Sequence, residues 1–406
     1  MTRSIAALVV TTSLVFAASA VAQTPDKVVK VGSLGDQSGL YADIGGPGSS
    51  VAAQMAIEDS GLLAKGWKIE LISADHQNKP DVGTNIGKQW IDVEKVDVFV
   101  DLASSGVGLA IANLAKEKNV VNLNSGSASS DLTGAQCSPN TIHWVYDTWM
   151  LANGTGKALV KSGGDSWFFL TADYAFGHAL ERDTAAVVVA NGGKVLGGVK
   201  HPLNNADFSS FLLQAQSSKA KIIGLANAGG DTTNSIKQAA EFGIVQGGQK
   251  LAGLLVFISD VHSLGLKTAN GLQLTSAFYW DHDDKTRAWS KKFAARHNGR
   301  MPTMVQAGVY AGVLHYLKAV QALKSKDDGK AVVEKMKALP TDDPLFGKGT
   351  IRADGRKIHP MYLFEVKKPS DSKGPWDYYK LIREIPADQA FRPLSQGECP
   401  MITAKK

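Results

Sequence analysis

The sequence contains little that would support catalysis or metal binding. It has only two cysteines in 406 residues, and its nine histidines show no spacing typical of metal ligands. No GxSxG, HExxH or GxxxxGK[ST] motif is present, and no GxGxxG follows a predicted strand. We therefore predict a protein that is not an enzyme and that uses no cofactor or metal.

Positive charge is also limited. The formal net charge is +6 at neutral pH, and the lysines and arginines are scattered along the chain. A surface that binds nucleic acid needs a dense basic patch or stripe, so we predict no nucleic-acid partner.

Long apolar runs are missing beyond the N-terminal segment. Residues 1–22 combine the single cation Arg3, an apolar run and the small residues Ala20-Val21-Ala22, which is the layout of a secretory signal peptide. No cysteine stands at the predicted cleavage site, so a lipid anchor is not indicated. The mature protein is expected to be exported.

The two cysteines, Cys137 and Cys399, are expected to form one disulfide. An even count favours pairing in an oxidising compartment, and the bond would tie the C-terminal tail back to a loop near residue 137. Two free thiols are the alternative. The tail from residue 386 lacks periodicity and is expected to lie across the surface.

What the chain does contain is a regular alternation of apolar runs and amphipathic stretches, which is typical of parallel α/β architecture. The pattern restarts near 143–154 and again near 274–284, where we expect the chain to cross between two lobes. A β-hairpin is predicted to turn at Asp354-Gly355. Strands are predicted at 27–35, 67–75, 96–104, 120–124, 166–173, 193–201, 220–228, 251–259 and 272–280.

These patterns predict two discontinuous lobes. The N-terminal lobe is assigned residues 27–145 and 276–345, and the C-terminal lobe residues 146–275 and 346–385. Residues 386–406 form the tail.

Small polar residues recur where strands are followed by helices, at 35–48, 101–108, 124–131 and 227–235. Loops at the carboxyl ends of parallel strands form the crevice in which ligands bind. A helix N-terminus there presents free N–H groups, and serine adds donors, which together suit a carboxylate. Any one such loop could equally be an ordinary turn.

Aromatic residues at strand ends and in loops predict walls for an apolar or aromatic ligand body, although core or hinge packing is the alternative for each. These residues are Tyr41, Tyr146, Trp149, Tyr174, Phe176, Tyr279 and Trp280.

Three acidic sites leave alternatives open. Asp231 opens a predicted helix, so capping explains it without a ligand. Asp260 at a strand end could receive an ammonium group or cap a turn. The Asp281–Asp284 run could bind a cation, but capping of the following helix is favoured.

Three segments resemble the periplasmic Leu/Ile/Val-binding protein family, the solute receptors of ABC importers: VKVGSLGDQSGLYADIGGPGSSVAAQMAIED, DLASSGVGLAIANLAKEKNVVNLNSGSASSDLTG and TADYAFGHALERDTAAVVVANGGKV. NAGGDTTNSIKQAAEFG and FYWDHDDKTRAW look closest to a branch that includes receptors for aromatic acids. The resemblance implies an α/β fold of two Rossmann-like lobes, with parallel sheets flanked by helices and three hinge crossings (type I periplasmic binding protein).

The resemblance also implies site residues. The family's carboxylate-binding serine corresponds to Ser105, and the adjoining loop to Ser125–Ser129, with Ala128 where some relatives carry a hydroxyl residue. Phe176 stands at the position of a common tyrosine, with Tyr174 beside it. The candidate ligand-binding residues are Tyr41, Ser104, Ser105, Ser125, Gly126, Ser127, Ala128, Tyr146, Tyr174, Phe176, Asn227, Asp231, Asp260 and Trp280.

The expected function is that of a monomeric periplasmic receptor which delivers a small carboxylate to importer permease subunits. The ligand is expected to be an aromatic acid or a branched-chain or other amino acid, held between two closing lobes. A periplasmic sensor that presents its ligand to a signalling receptor is the alternative, and an enzyme on this scaffold is the third hypothesis.

Overall fold

The computed structural model describes residues 27–403, and the predicted signal peptide lies outside this range. The strands, in chain order, are β1 (Val28–Gly35), β2 (Lys68–Asp75), β3 (Val98–Asp101), β4 (Val121–Asn124), β5 (Thr141–His143), β6 (Ser166–Ala172), β7 (Lys194–His201), β8 (Ile222–Ala226), β9 (Lys250–Gly253), β10 (Gln273–Ser276), β11 (Thr341–Asp343), β12 (Gly347–Ile351), β13 (Lys357–Ile358), β14 (Met361–Val366) and β15 (Tyr379–Ile385).

Helices alternate with these strands in the first two-thirds of the described chain. They are α1 (Gly46–Asp59), α2 (Pro80–Gln89), α3 (Ser105–Lys118), α4 (Thr148–Leu151), α5 (Lys157–Lys161), α6 (Ala175–Ala190), α7 (Ser209–Ser217), α8 (Gly229–Glu241), α9 (Ile258–Leu264), α10 (Leu266–Ala269), α11 (Asp284–Arg296), α12 (Met304–Leu323), α13 (Gly329–Ala338), α14 (Ala387–Ala390) and α15 (Pro400–Thr403).

Two parallel sheets form the centres of two lobes and confirm the predicted fold class. The first sheet has the order β2-β1-β3-β4-β5 and the second the order β7-β6-β8-β9, with every pair parallel. Strands β3, β4 and β8 are buried throughout, as expected for parallel strands that are covered by helices on both faces. Because all carboxyl ends of a parallel sheet meet at one edge, the loops after β3 and β4 become neighbours.

The chain leaves the second lobe after β10 and returns to the first as α11, α12 and α13. Helix α12 is buried along most of its length and packs against α1 and α13. Thr303 caps it, since its hydroxyl accepts the Gln306 N–H at 3.3 Å while the Gln306 side chain accepts the Thr303 N–H at 3.0 Å. The second lobe is completed by the antiparallel sheet β10-β14-β15.

The predicted hairpin turn at Asp354-Gly355 is confirmed by the antiparallel pairing of β12 with β13. Gly355 has a φ of 89°, and its N–H donates to Arg352 O at 2.9 Å. The predicted division assigned residues 346–385 to the C-terminal lobe, but β12 and β13 lie against the first lobe, where Arg356 forms a parallel bridge with His143, the last residue of β5. The chain therefore returns to the second lobe only at β14.

Side-chain bonds hold two of the three crossings between the lobes side by side. His359 Nε2 lies 2.8 Å from Val145 O, and Arg356 Nη1 donates to Tyr146 O at 3.0 Å. Arg356 is fully buried and also faces Asp147 at 3.5 Å. These contacts join the crossing before α4 to the crossing between β13 and β14.

The predicted disulfide is confirmed between Cys137 and Cys399, with a Cα–Cα distance of 5.6 Å. The tail does not lie wholly on the surface as expected, because Phe391 and Cys399 are buried. Phe391 packs under the Arg356 guanidinium at 4.6 Å, so the tail covers part of the hinge. Within residues 27–403, none of the helices has both the length and the apolar character that a membrane span requires.

Candidate functional site

A cavity of about 240 Å³ lies where the two lobes face each other. Eight of the fourteen predicted site residues line it. Its walls are Tyr41, Ile44, Ala103, Ser104, Ser105, Gly126, Ala128, Tyr146, Tyr174, Phe176, Ala228, Leu255 and Phe257.

Ser105 and the loop after β4 converge on the first-lobe wall. Ser105 is the first residue of α3, and its hydroxyl accepts the N–H groups of Ala128 at 3.2 Å and Ser129 at 3.1 Å. The hydroxyl keeps its own hydrogen for a further acceptor. The serine thus braces the loop and remains able to donate into the cavity.

Ser104 supplies an unsatisfied donor on the same wall. Its hydroxyl is buried, does not cap α3, and has no hydrogen-bond partner within residues 27–403. The first N–H groups of α3 also lack acceptors within the helix. This wall therefore offers several neutral donors in one place, which is the arrangement that suits an anion at a helix N-terminus.

An unusual backbone at the end of β3 places Ser104 and Ser105. Asp101 and Leu102 have φ angles of 75° and 64°, a left-handed conformation that costs non-glycine residues free energy. Ser127 stabilises this turn because its hydroxyl lies 2.5 Å from Leu102 O and 2.9 Å from Ser104 O. Ser127 therefore points away from the cavity and supports the turn that lines it.

The second-lobe wall is apolar. Phe176 comes from the first turn of α6, Ala228 immediately precedes α8, and Leu255 and Phe257 follow β9. Tyr146 packs edge-on against Phe257 at 6.1 Å between ring centroids. The Tyr146 hydroxyl donates to Gly126 O at 2.7 Å, which fixes both the ring and the loop.

Two phenols meet across the gap between the lobes. The hydroxyls of Tyr41 and Tyr174 lie 2.7 Å apart. Asp36 positions the Tyr41 turn by accepting the N–H groups of Gly39 at 2.7 Å and Tyr41 at 2.8 Å. Burial raises the pKa of both phenols above the ordinary tyrosine value, so both are neutral.

The lobes are in a closed arrangement around the cavity. Gly229 of the second lobe has a φ of 57°, and a Cβ there would lie 2.6 Å from Leu40 O of the first lobe. The backbones of the two lobes therefore approach each other so closely that no side chain would fit at position 229. Among the cavity's described lining residues there is no Lys, Arg, His, Asp or Glu.

Two predicted acidic residues lie outside the cavity lining. Asp231 accepts the N–H groups of Asn204 at 3.1 Å and Asn205 at 2.8 Å, and burial raises its pKa to about 6. Asp260 accepts the Phe257 N–H at 2.8 Å at the start of α9, and burial raises its pKa to about 7. Both carboxyl groups are occupied by backbone within their own lobe.

Four other predicted residues are also not among the cavity walls. Asn227 bonds to the Thr232 hydroxyl at 2.7 Å inside the second lobe. Trp280 Nε1 donates to Trp376 O at 2.8 Å. Ser125 is buried, and its hydroxyl has no partner among the residues that the structure describes, whereas Ser127 supports the turn described above. Trp149 and Tyr279, considered as aromatic walls, do not line the cavity either.

Sequence reasoning missed five lining residues: Ile44, Ala103, Ala228, Leu255 and Phe257. All are apolar, so none carries a chemical signal. For two of them, the strand predicted at 251–259 was a signal. It is longer than β9, and Leu255 and Phe257 near its end line the cavity.

The Asp281–Asp284 run caps a helix, which is the alternative that the sequence favours over a cation site. Asp283 accepts the Thr286 N–H at 2.8 Å at the start of α11, and Asp281 pairs with Arg287 at 2.9 Å. Within the described chain no cluster of three or more His, Cys, Asp or Glu side chains is arranged to hold a metal ion.

Comparison with known proteins identifies similar chains. A family model described as "Periplasmic binding protein" matches residues 28–374. A crystal structure of a periplasmic binding protein from Burkholderia mallei is 52% identical, with a TM-score of 0.89 and coverage of 92% of this chain and 99% of that chain. A branched chain amino acid ABC transporter periplasmic ligand-binding protein from Burkholderia xenovorans LB400 is 40% identical, with a TM-score of 0.81 and the same coverage.

More distant proteins are also similar to this chain. A solute binding protein from R. palustris in complex with 4-hydroxybenzoate has 22% identity and a TM-score of 0.80, covering 89% of this chain and 97% of that chain. "Leu/Ile/Val-binding protein homolog 6" of Brucella abortus is 24% identical over 90% of this chain and 94% of its own length.

Proposed function

The chain belongs to the periplasmic binding protein family, and from this premise we propose that it is the solute receptor of an ABC importer for a small carboxylic acid. The observation that carries the proposal is the two-sided cavity. Neutral donors at Ser104, Ser105 and the start of α3 face an apolar wall that includes Phe176 and Phe257.

The donor wall suits a carboxylate. A hydrogen bond to a charged acceptor contributes about 1.5–3 kcal/mol, so three or four such bonds would anchor a small acid. The buried, unpartnered Ser104 hydroxyl gains a partner when the acid binds.

The lining favours an apolar or aromatic acid without an amino group. An ammonium group buried here would find no carboxylate among the lining residues, and a buried unpaired charge is costly. Asp231 and Asp260 are already bonded to backbone N–H groups. A branched-chain amino acid is the second candidate, because the 40% identical relative is named for that class.

Ligand capture works by lobe closure in this proposal. An acid that touches both walls stabilises the closed arrangement, and a shift from mostly open to mostly closed requires about 5.5 kcal/mol of differential binding. The permease subunits would then recognise the altered relation of the two lobes. We place this monomeric receptor in the periplasm, consistent with its family.

The test is a calorimetric screen of benzoate, 4-hydroxybenzoate, cinnamate and leucine. We expect an aromatic acid to bind most tightly and to make the protein more compact in small-angle X-ray scattering. Ser105→Ala removes one donor and loosens the loop at Ala128, so it should weaken binding about 10- to 100-fold.

The matched control is Ser210→Ala, an exposed serine on α7 that should leave affinity unchanged. Melting temperatures of both variants separate loss of binding from loss of folding. Tight binding of leucine with no response to the aromatic acids would overturn the ligand class, and tight binding without compaction would overturn closure.

A further inference from the structure

A second cavity between the lobes has a different chemical character. It has a volume of about 560 Å³ and shares no lining residue with the first cavity, which we call the ligand cavity after its proposed function. The second lobe contributes Ser259, His262 and Ser263 from α9. The first lobe contributes His297 and Arg300, and we call this space the histidine cavity.

His262 is held rigidly on one side of the histidine cavity. Its ring stacks on Trp376 with 4.0 Å between centroids and 4° between planes. Its Nδ1 lies 2.8 Å from the Tyr378 hydroxyl. With that hydroxyl as the donor, the proton of neutral His262 sits on Nε2, so the ring offers a fixed N–H to the cavity.

Ser259 provides a second donor. Its hydroxyl oxygen is buried and has no hydrogen-bond partner in the described chain. Buried hydroxyls are rarely left unsatisfied, so an unpartnered one on a cavity wall points to an occupant. Ser263 lies one helical turn further along α9, and i,i+4 neighbours share a helix face.

Among the residues that line the histidine cavity, the formal charges of Arg300 and Asp43 cancel when both imidazoles are neutral. Arg300 forms an ion pair with Asp43, and both line the cavity. Asp260 is the acidic residue of α9, and it accepts the Phe257 N–H. Asp377 lies beside Trp376 and is paired with Lys367. Burial lowers the pKa of His262 and His297, with Arg300 acting in the same direction and Asp43 opposing it.

We propose that the histidine cavity is a second binding site, which takes a small oxyanion such as phosphate or a carboxylate. His262 Nε2, the Ser259 and Ser263 hydroxyls and the Arg300 guanidinium donate to the oxyanion, and Arg300 offsets the charge of Asp43. Protonation of either imidazole makes the site net positive and strengthens binding.

The proposed oxyanion site lies between the two lobes, so its occupation affects their relative arrangement. Its donors come from both lobes, so an oxyanion there stabilises the closed arrangement and not the open one. By linkage, the oxyanion and the acid in the ligand cavity then raise each other's affinity by the same factor.

The experiment is an NMR titration of the imidazole resonances with inorganic phosphate, at pH 5.5 and 7.5, with calorimetry alongside. His262→Gln and His297→Gln assign the two resonances. We expect phosphate to raise both histidine pKa values, to bind at least tenfold more tightly at pH 5.5, and to lose at least tenfold in affinity in Ser259→Ala.

Controls separate this site from others. His178→Gln changes an exposed histidine on α6 that pairs with Asp173, and it should leave phosphate binding intact. Loss of phosphate binding in Ser105→Ala, but not in Ser259→Ala, would place the anion in the ligand cavity and overturn the proposal. Unmoved His262 and His297 resonances would overturn it as well, whichever acid the ligand cavity binds.

Discussion

The Asp101 side chain is buried at the end of β3, next to the first residues of α1. A Cβ on Gly45 would lie 2.3 Å from one of its carboxyl oxygens, so the carboxyl group fills the space that a side chain would take. In the described part of the chain, neither oxygen has a hydrogen-bond partner of ordinary geometry. Burial raises the pKa of Asp101 to about 8, against the opposing effect of the Ser49 hydroxyl and the Gly46 N–H.

This raised pKa predicts a pH-dependent loss of stability. Between the unfolded value of about 4 and the folded value of about 8, the folded protein keeps a proton that the unfolded chain has released. The free energy of unfolding therefore falls as pH rises through this window, by at most about 1.4 kcal/mol per pH unit. The stabilisation that this retained proton provides is fully present below the window and is lost above it.

Asp101→Asn removes this titration while it keeps the shape. Relative to the wild type, the variant should gain at least about 1 kcal/mol in unfolding free energy between pH 5 and pH 7.5. Urea unfolding at the two pH values measures the difference. A variant whose stability relative to the wild type is the same at both pH values would show that Asp101 is ionised in the folded protein.

At the residue scale, the polar half of the ligand cavity was predictable and the apolar half was not. Serines at strand ends carry a chemical signal, and Ser105 does meet the Ala128 loop. The left-handed turn at Asp101–Leu102 could not be foreseen, because neither residue is a glycine. For the same reason the hydroxyl of Ser127 was expected to face a ligand, although it bonds to that turn.

At the element scale, apolar periodicity located the strands but not their ends. The strand predicted at 251–259 ends at Gly253, since Leu255 and Phe257 line the cavity while Val256 and Ile258 pack in the core of the second lobe. Strand β5 was missed because three residues are too short for a pattern. The second lobe's β15 was missed because most of its side chains are exposed and charged residues interrupt it.

The tail is an element whose stability depends on one covalent bond. Its helices are four residues long, which is too short to be stable alone. Phe391 packs on Arg356 at 4.6 Å and Arg392 donates to Ser130 O at 3.1 Å, so the tail touches both the hinge and the turn after the ligand loop.

The double variant Cys137→Ser/Cys399→Ser should lose about 2–5 kcal/mol of unfolding free energy, since the disulfide closes a loop with a sequence separation of 262. Urea unfolding measures the loss, and wild-type protein in reductant should show the same shift. Equal unfolding midpoints for the oxidised wild type and the variant would mean that the tail holds its place without the bond.

At the scale of the whole molecule, polar contacts join the lobes on two sides. Near the hinge, Asp183 of α6 accepts the hydroxyl of Ser130 in the first lobe at 2.7 Å, and it also accepts the Thr148 hydroxyl of its own lobe at 2.6 Å. At the cavity, the only bridge between side-chain hydroxyls of the two lobes that we find within the described chain joins Tyr41 to Tyr174. The first set lies beside the crossing into α4, whereas the phenols would separate when the lobes open in the proposed mechanism.

The phenol pair therefore predicts a loss of affinity without a loss of stability. Tyr41→Phe removes a bond worth about 0.5–1.5 kcal/mol in the closed arrangement, so affinity for the acid that binds best should fall about two- to tenfold. Tyr174→Phe should do the same. Because each phenol is the other's partner, the double variant should bind no more weakly than either single variant.

Calorimetry on the four proteins completes this double-mutant cycle, and urea unfolding without ligand should give equal stabilities, since the open protein lacks the bond. Tyr310→Phe is the matched control, because its hydroxyl bonds to Asp59 at 2.9 Å within the first lobe, and it should leave affinity unchanged. Additive losses from Tyr41→Phe and Tyr174→Phe would show that the phenols contact the ligand independently. In that case closure would depend on the ligand and the hinge contacts alone.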